Sequence, residues 1–505
     1  MRSPARNIIL GIGLSVCLGC IGALDSSAAE PAKSALSLAE AVEQKQFELA
    51  EDLLHDQAAV SVAQADGMMP LHWAVFHRQG DLVERLLRHG ANPNAATRYG
   101  VVPLAIACQA GDARLVSALL NAGAEANVNL AGEVSLLMLA SRTGDASCVQ
   151  QLVHAGADIN ARDAKKQTPL MWAAAEGNVG VVKVLLDAGA EYERALTTGF
   201  TPFFFAVREG KREVVRLFLD RGVDVDGMMN PKNTGGRNAR RGMTALHLAI
   251  ENGHFELATD LLCAEADPND QRCGFTPLHN LSWVRKPDRG DNIAGTPAPI
   301  GSGNMTSLEL VTELVEAGAG VNATLKKGKA GRGRMNHKGA TPFLFAARRN
   351  DLPLMKLLLS HGADPHIANA DNCTALMVAA GIGTYAPGEE AGTEEEALAC
   401  VEFLLTLGAD VNHVDDNGET AMHGACYKSL PKMVALLAER GADVSVWNKK
   451  NKYGWTPTLI AEGHRPGNFK PAAATLHAVY QQLRANGIEP PAKTPPKHRL
   501  GYEQP

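Results

Sequence analysis

The sequence predicts an all-α solenoid, a single file of stacked helix-turn-helix units with β-turn fingers between them. Three observations carry this. A segment opening on Pro, or a substitute for it, recurs at Pro70, Pro103, Ser135, Pro169 and Pro202, at steps of 33, 32, 34 and 33 residues, and self-similarity at a fixed period marks a repeat array. Each copy reads as two short helices. The apolar surface of one such pair exceeds what two helices can bury against each other, so the copies must stack.

At the N-terminus, Arg2 and Arg6 precede an uncharged run, Ile8 to Leu24, followed by the small residues of "DSSAAEPA". This is the layout of a signal peptide spanning residues 1–29, cleaved after Ala29. It leads to the expectation of an exported chain, periplasmic or secreted. Two imperfect lipoprotein boxes make Cys17 or Cys20 the alternative, and membrane attachment is expected only through lipid at one of them. The apolar run is short for a membrane span of roughly 20 residues.

The segment "LSLAEAVEQKQFELAEDLLHD" (36–56) reads as a helical cap, and ten repeats follow from Gly67 to Gly454. The copy at 168–190, "TPLMWAAAEGNVGVVKVLLDAGA", shows why each unit is a hairpin. Thr168 caps the first helix and Pro169 suits its first position, where no backbone donor is needed. Leu170, Ala173 and Ala174 form one face, and the alanines admit a close neighbour. Gly177 stops the helix. Val181, Val182, Leu185 and Leu186 form a second stripe at helical spacing, and Gly189 suits the left-handed C-terminal position.

Other copies are "MPLHWAV", "VPLAIAC", "VSLLMLA", "TPFFFAV", "TALHLAI", "TPLHNLS", "TPFLFAA", "TALMVAA" and "TAMHGAC". Their closing phrases include "LLRHGANPN", "LVHAGADIN", "LLSHGADPH" and "LLTLGADVN". In these motifs the chain resembles an ankyrin-repeat protein of an exported bacterial type, with a period of about 33 and a T-P-L-H-x-A signature. The resemblance runs from residue 37 to about 487. It implies a curved stack whose fingers and inner helices line a concave groove. A C-terminal unit from Trp455 caps the stack, giving a solenoid over 30–487. The tail at 488–505, "IEPPAKTPPKHRLGYEQP", is proline-rich and expected to be disordered.

Two units depart from the pattern. Glu265 stands where the helix-ending Gly belongs, and a β-carbon in the left-handed region costs about 1 kcal/mol. The unit at 275–323 loses its Ala pair and carries the insertion "RKPDRGDNIAGTPAPIGSGN".

Catalytic signatures are missing. The chain has no HExxH, P-loop, GxSxG or Cys/His cluster, so no cofactor or metal is expected and the chain reads as a non-enzyme. His72, His247, His279 and His423 share one repeat position, which points to turn hydrogen bonding rather than metal ligation. The nine cysteines show no disulfide framework. Cys108, Cys148, Cys400 and Cys426 replace small or apolar helix residues and read as buried hydrophobes.

The finger insertions carry more information. "GMMNPKNTGGRNARRG" supplies Lys232, Arg237, Arg240 and Arg241 without an acid. "TLKKGKAGRGRMNHKG" supplies Lys326, Lys327, Lys329, Arg332, Arg334 and Lys338, and "NKKNKYGW" adds Lys449, Lys450 and Lys452. The glutamates of "GIGTYAPGEEAGTEEEA" (381–397) fall between two helices, on the opposite edge. Each run by itself is a solvated loop; three basic runs on one edge point to function.

The reading is a non-catalytic scaffold, monomeric, that binds a protein with an acidic surface through its groove and basic fingers. The alternatives are capture of an anionic polymer such as a polysaccharide and, third, an enzyme with a groove-built site. A net charge of −6 over 505 residues, together with export, argues against nucleic acid.

Overall fold

The computed structural model describes residues 36–491 except 57, 233–240, 289–296, 329–334 and 466–469. Twelve helical hairpins follow one another among the described residues, from Leu38–Glu43 with Phe47–Leu53 to Pro457–Ala461 with Ala473–Ala485. Each first helix packs on the first helices of the units before and after it. The second helices form a parallel outer row. One continuous apolar core runs between the rows, from Leu38 to Leu483.

The local chemistry follows the sequence logic. The Thr168 hydroxyl accepts from the Met171 amide at 3.3 Å, Pro169 opens the helix Pro169–Glu176, and Gly177 ends it at φ 86°. Val181, Val182 and Leu185 of the helix Val179–Asp187 are fully buried. Strand structure among the described residues is confined to the fingers. Asn129–Leu130 pairs antiparallel with Val134–Ser135, Asn129 opposite Ser135, and Met228 bridges Thr244.

Three devices tie neighbouring units together. The first is histidine. His72, His247, His279 and His423 are wholly buried. Their Nε2 atoms lie 2.9–3.2 Å from the carbonyls of Val101, Phe275, Ala340 and Lys449 in the next finger. A carbonyl only accepts, so each Nε2 carries the proton and donates it. The second is an asparagine ladder. Asn94, Asn127, Asn269, Asn322 and Asn412 each donate through Nδ2 to a glycine carbonyl of the next unit and accept a backbone N–H from it. The third joins finger to finger through the backbone, as from the Ala370 N–H to the Lys338 carbonyl (2.8 Å) and from the Asp416 N–H to the Asp371 carbonyl (3.0 Å).

The departures resolve physically. Glu265 keeps the left-handed corner at φ 65° with its side chain in solvent. The insertion after the helix Pro277–Arg285 turns back onto the preceding unit. There the Ser302 amide donates to His254 Nδ1 (2.9 Å), the Asn304 amide donates to Glu256 (2.8 Å), and His254 Nε2 donates to the Arg208 carbonyl (2.9 Å). The approach at Gly301 is so close that a β-carbon would stand 1.8 Å from the Gly253 carbonyl oxygen.

The glutamates of 381–397 do not form a free acidic edge. Glu396 caps the helix Glu394–Thr406 through Thr393 and pairs with Lys286 at 2.7 Å. Glu394 accepts the Lys432 amide (2.7 Å), Glu395 pairs with Lys432 (3.2 Å), and Glu390 lies 3.7 Å from Arg348. Beside them Arg285 pairs with Asp351 at 2.8 Å, Arg349 pairs with Asp288, and buried Lys428 donates to the Ala391 carbonyl at 2.9 Å. The two inter-helix insertions thus meet in an ion-pair clasp across four units.

Candidate functional site

The finger insertions leave the stack from closed stems. Met229 closes the first, its amide donating to the Met243 carbonyl at 2.8 Å and its carbonyl accepting from the Gly242 amide at 2.9 Å. Leu325 and Ala340 close the second, the Leu325 amide to the Ala340 carbonyl at 3.1 Å. Such stems fix where the loops depart from the stack.

Lys232 and Arg241 of the first insertion, and Lys326, Lys327 and Lys338 of the second, are all exposed. Arg237, Arg240, Lys329, Arg332 and Arg334 lie outside the described residues. The two insertions flank one ordinary finger, 267–275, and Arg272 on it joins the same patch. Its guanidinium bonds Asp270 (2.5 Å) and the Asp226 carbonyl (2.6 Å), and Gln271 reaches the Thr324 carbonyl (3.3 Å). Between these fingers opens a cleft of about 660 Å³ lined by Asp226, Asp267, Asp270, Arg272, Lys326 and Lys327. Sequence reasoning misses Arg272 because its finger carries two acids, Asp267 and Asp270, and reads as slightly acidic.

Lys449, Lys450 and Lys452 are exposed too, but the fold sets them apart. The fingers at 364–374 and 410–420 intervene, and these carry Asp364, Asp371, Asp410 and Asp416. Lys452 is also engaged, bonding Asn417 and lying 5.2 Å from the Tyr453 ring, which in turn packs 5.4 Å from Trp455.

The inner helices beside the fingers add cation–aromatic pairs that motif spacing does not single out. The Arg142 guanidinium lies 5.6 Å from the Trp172 ring, and Arg208 lies 5.2 and 4.9 Å from Phe200 and Phe205. A signal is present in the sequence, since Trp172 and Phe205 stand at the same position of their T-P segments, although Phe205 is itself buried.

Burial tunes several groups without assembling chemistry. Removal from water pushes His279 and His423 down to about 4 and lowers His72 and His247. Burial also raises Glu419 to about 7, against the hydrogen bonds it accepts from Tyr427 (2.8 Å) and Asn451 (2.8 Å). Buried thiols are driven up, Cys148 and Cys400 to about 12 and Cys108 and Cys426 higher still. That makes them unreactive hydrophobes. Among the described residues no group of three or more His, Cys, Asp or Glu could hold a metal ion, and no helix is long and apolar enough to cross a membrane.

A family model described as ankyrin repeats (3 copies) matches residues 38–130, 137–229, 302–385 and 391–469, and one described as ankyrin repeat matches 241–272. Ankyrin repeat and SOCS box protein 6 of Pongo abelii is 32% identical over 160 residues, 30% of this chain and 35% of that protein. The nuclear factor NF-kappa-B p105 subunit of Gallus gallus is 32% identical over 251 residues, 49% of this chain and 21% of its own. The chain therefore spans about a third or less of the length of these relatives. The crystal structure of the human ASB11 ankyrin repeat domain matches with a TM-score of 0.40 and 23% identity, covering 52% of this chain and 100% of that one.

These relatives overturn the expectation of an exported, periplasmic or secreted protein of bacterial type. They are vertebrate proteins, a nuclear factor subunit and a SOCS box protein. The leader reading rests on residues 1–29, with Cys17 and Cys20, which lie outside the described residues. A basic start, a short apolar run and a few small residues describe a layout, not a destination.

Proposed function

The chain belongs to the ankyrin-repeat family, whose role is protein interaction without catalysis, and from that premise we propose that it holds one protein partner against its groove and basic fingers. Residues 30–487 act as one solenoid, followed by the proline-rich tail at 488–505, whose first residue, Ile488, still packs against the core and donates to the Leu483 carbonyl, and the chain works as a monomer. The observation that carries this reading is the grouping of Lys232, Arg241, Lys326, Lys327 and Lys338 on two insertions flanking Arg272. A preorganised stack loses little conformational entropy on docking, which suits an extended partner surface. An acidic surface is the complement, and exposed charges act mainly on encounter rate and salt sensitivity.

The test starts with affinity capture on the full chain and continues with association rates of the captured protein. Reversing Lys232, Arg241, Lys326 and Lys327 to Glu leaves the fold intact, because these side chains bury no core. The expected result is slower association at low salt and a flatter salt dependence. An unchanged rate at low salt overturns the role of the fingers.

A further inference from the structure

The finger rim changes sign along the stack, and from this we infer that the partner segment is itself bipolar, with an acidic stretch followed along the groove by a basic one. This rests on the protein-binding reading above and refines its acidic partner. The basic block consists of Lys232, Arg241, Lys326, Lys327 and Lys338. The next two fingers present Asp364, Asp410 and Asp416, all exposed, and half-buried Asp371. No ion pair neutralises any of these nine side chains among the described residues.

The reversal is rigidly displayed. The Ala370 amide bonds the Lys338 carbonyl at 2.8 Å, Asn336 Nδ2 donates to Asp371 at 2.8 Å, and the Asp416 amide bonds the Asp371 carbonyl at 3.0 Å. The last basic finger, the first acidic one and the second acidic one are therefore locked side by side in fixed order. Asp224, Asp226, Asp267 and Asp270 stand among the basic fingers but are outnumbered by the five basic side chains together with Arg272, so that block keeps a net positive sign. Exposed charges act over a Debye length of about 8 Å, so a bound chain meets both signs in succession. A uniformly acidic chain gains over the basic block and is repelled over the next two fingers. A polyanion of either kind, nucleic acid or polysaccharide, meets the same repulsion. A chain that changes sign gains at both, and like-charge juxtaposition is what suppresses wrong partners.

Extended fluorescein-labelled peptides of about 20 residues, roughly 70 Å at full stretch, test this on the full chain by anisotropy at low salt. One peptide carries an acidic half and a basic half, one has the same composition with alternating signs, and one is uniformly acidic. The block peptide is expected to bind about tenfold more tightly than either of the others. In the variant Asp364→Asn/Asp410→Asn/Asp416→Lys that preference collapses, and the uniformly acidic peptide gains affinity. Asn at 364 and 410 keeps the acceptor that the His366 and Asn412 amides use, so the turns survive, as circular dichroism would confirm. A uniformly acidic peptide that binds as well as the block peptide to the parent chain overturns the bipolar assignment while leaving the basic-finger reading standing. Binding of every peptide that is indifferent to both this variant and the lysine reversals overturns both.

Discussion

Acidification from pH 7 to pH 5 should loosen the stack at two identifiable joints, the fingers held by His279 and His423. In the folded chain each imidazole is neutral, donates from Nε2 to a carbonyl of the next finger, and has a pKa near 4 because burial disfavours the charged ring. In the unfolded chain it titrates near 6.5. The folded pKa is the lower one, so the unfolded state binds more protons. The stabilisation is complete above about pH 6.5 and is lost as pH falls towards 4. At pH 5 each residue accounts for a loss of about 2 kcal/mol. Glu419 works in the opposite sense. Its carboxyl is raised to about 7, so the cost of its buried charge accumulates between pH 4.5 and 7, and acidification to pH 5 relieves about 2 kcal/mol of it. The assay therefore uses a Glu419→Gln background, which removes that opposing contribution. Guanidinium unfolding at pH 7 and 5 is compared with and without His279→Gln/His423→Gln, and amide exchange reads the fingers at 340 and 449 directly. The doubly substituted chain should be weaker at pH 7 yet lose about 4 kcal/mol less on acidification. Equal losses in the two chains would refute the assignment of neutral, buried, donating imidazoles.

Four further outcomes each rest on one local interaction. Glu265→Gly relieves a β-carbon at φ 65° whose side chain stands in solvent, and should raise the stability of its unit by about 1 kcal/mol, read as a higher denaturant midpoint. His366 occupies the ladder position that Asn322 and Asn412 fill in neighbouring units. His366→Asn should add a rung to Gly408 and Asp410 and slow amide exchange at Asp410, for a gain of about 1 kcal/mol. Gly301→Ala cannot be accommodated against the Gly253 carbonyl, so the returning insertion should detach and expose the amides of Ser302 and Asn304 to exchange. Glu396→Ala removes a helix cap and the Lys286 pair together, and should lower stability by about 1–2 kcal/mol, contrary to what a free acidic edge would show.

The period, the hairpin and its caps were legible because they depend on neighbours in sequence. Thr168, Pro169 and Gly177 do locally what their types require, and the same holds for the left-handed corner at Glu265, which the missing glycine disclosed. The shared position of four histidines pointed to turn hydrogen bonding. It could not show that each imidazole reaches a carbonyl 26 to 61 residues away, because that partner is set by stacking.

Charge was where the sequence said least about function. The runs at 227–242 and 324–339 looked equivalent to the one at 448–455, yet stacking groups the first two around Arg272 and isolates the third behind acidic fingers. The glutamates of 381–397 looked like a free edge, and packing turned them into one half of a clasp with Lys286 and Lys432. A local sequence determines which side chains a unit offers, since dihedral preference and hydrophobic period act over a few residues. Which charges face one another is decided by distances between units, and these exist only once the apolar faces have closed on each other and fixed the order of the fingers in space.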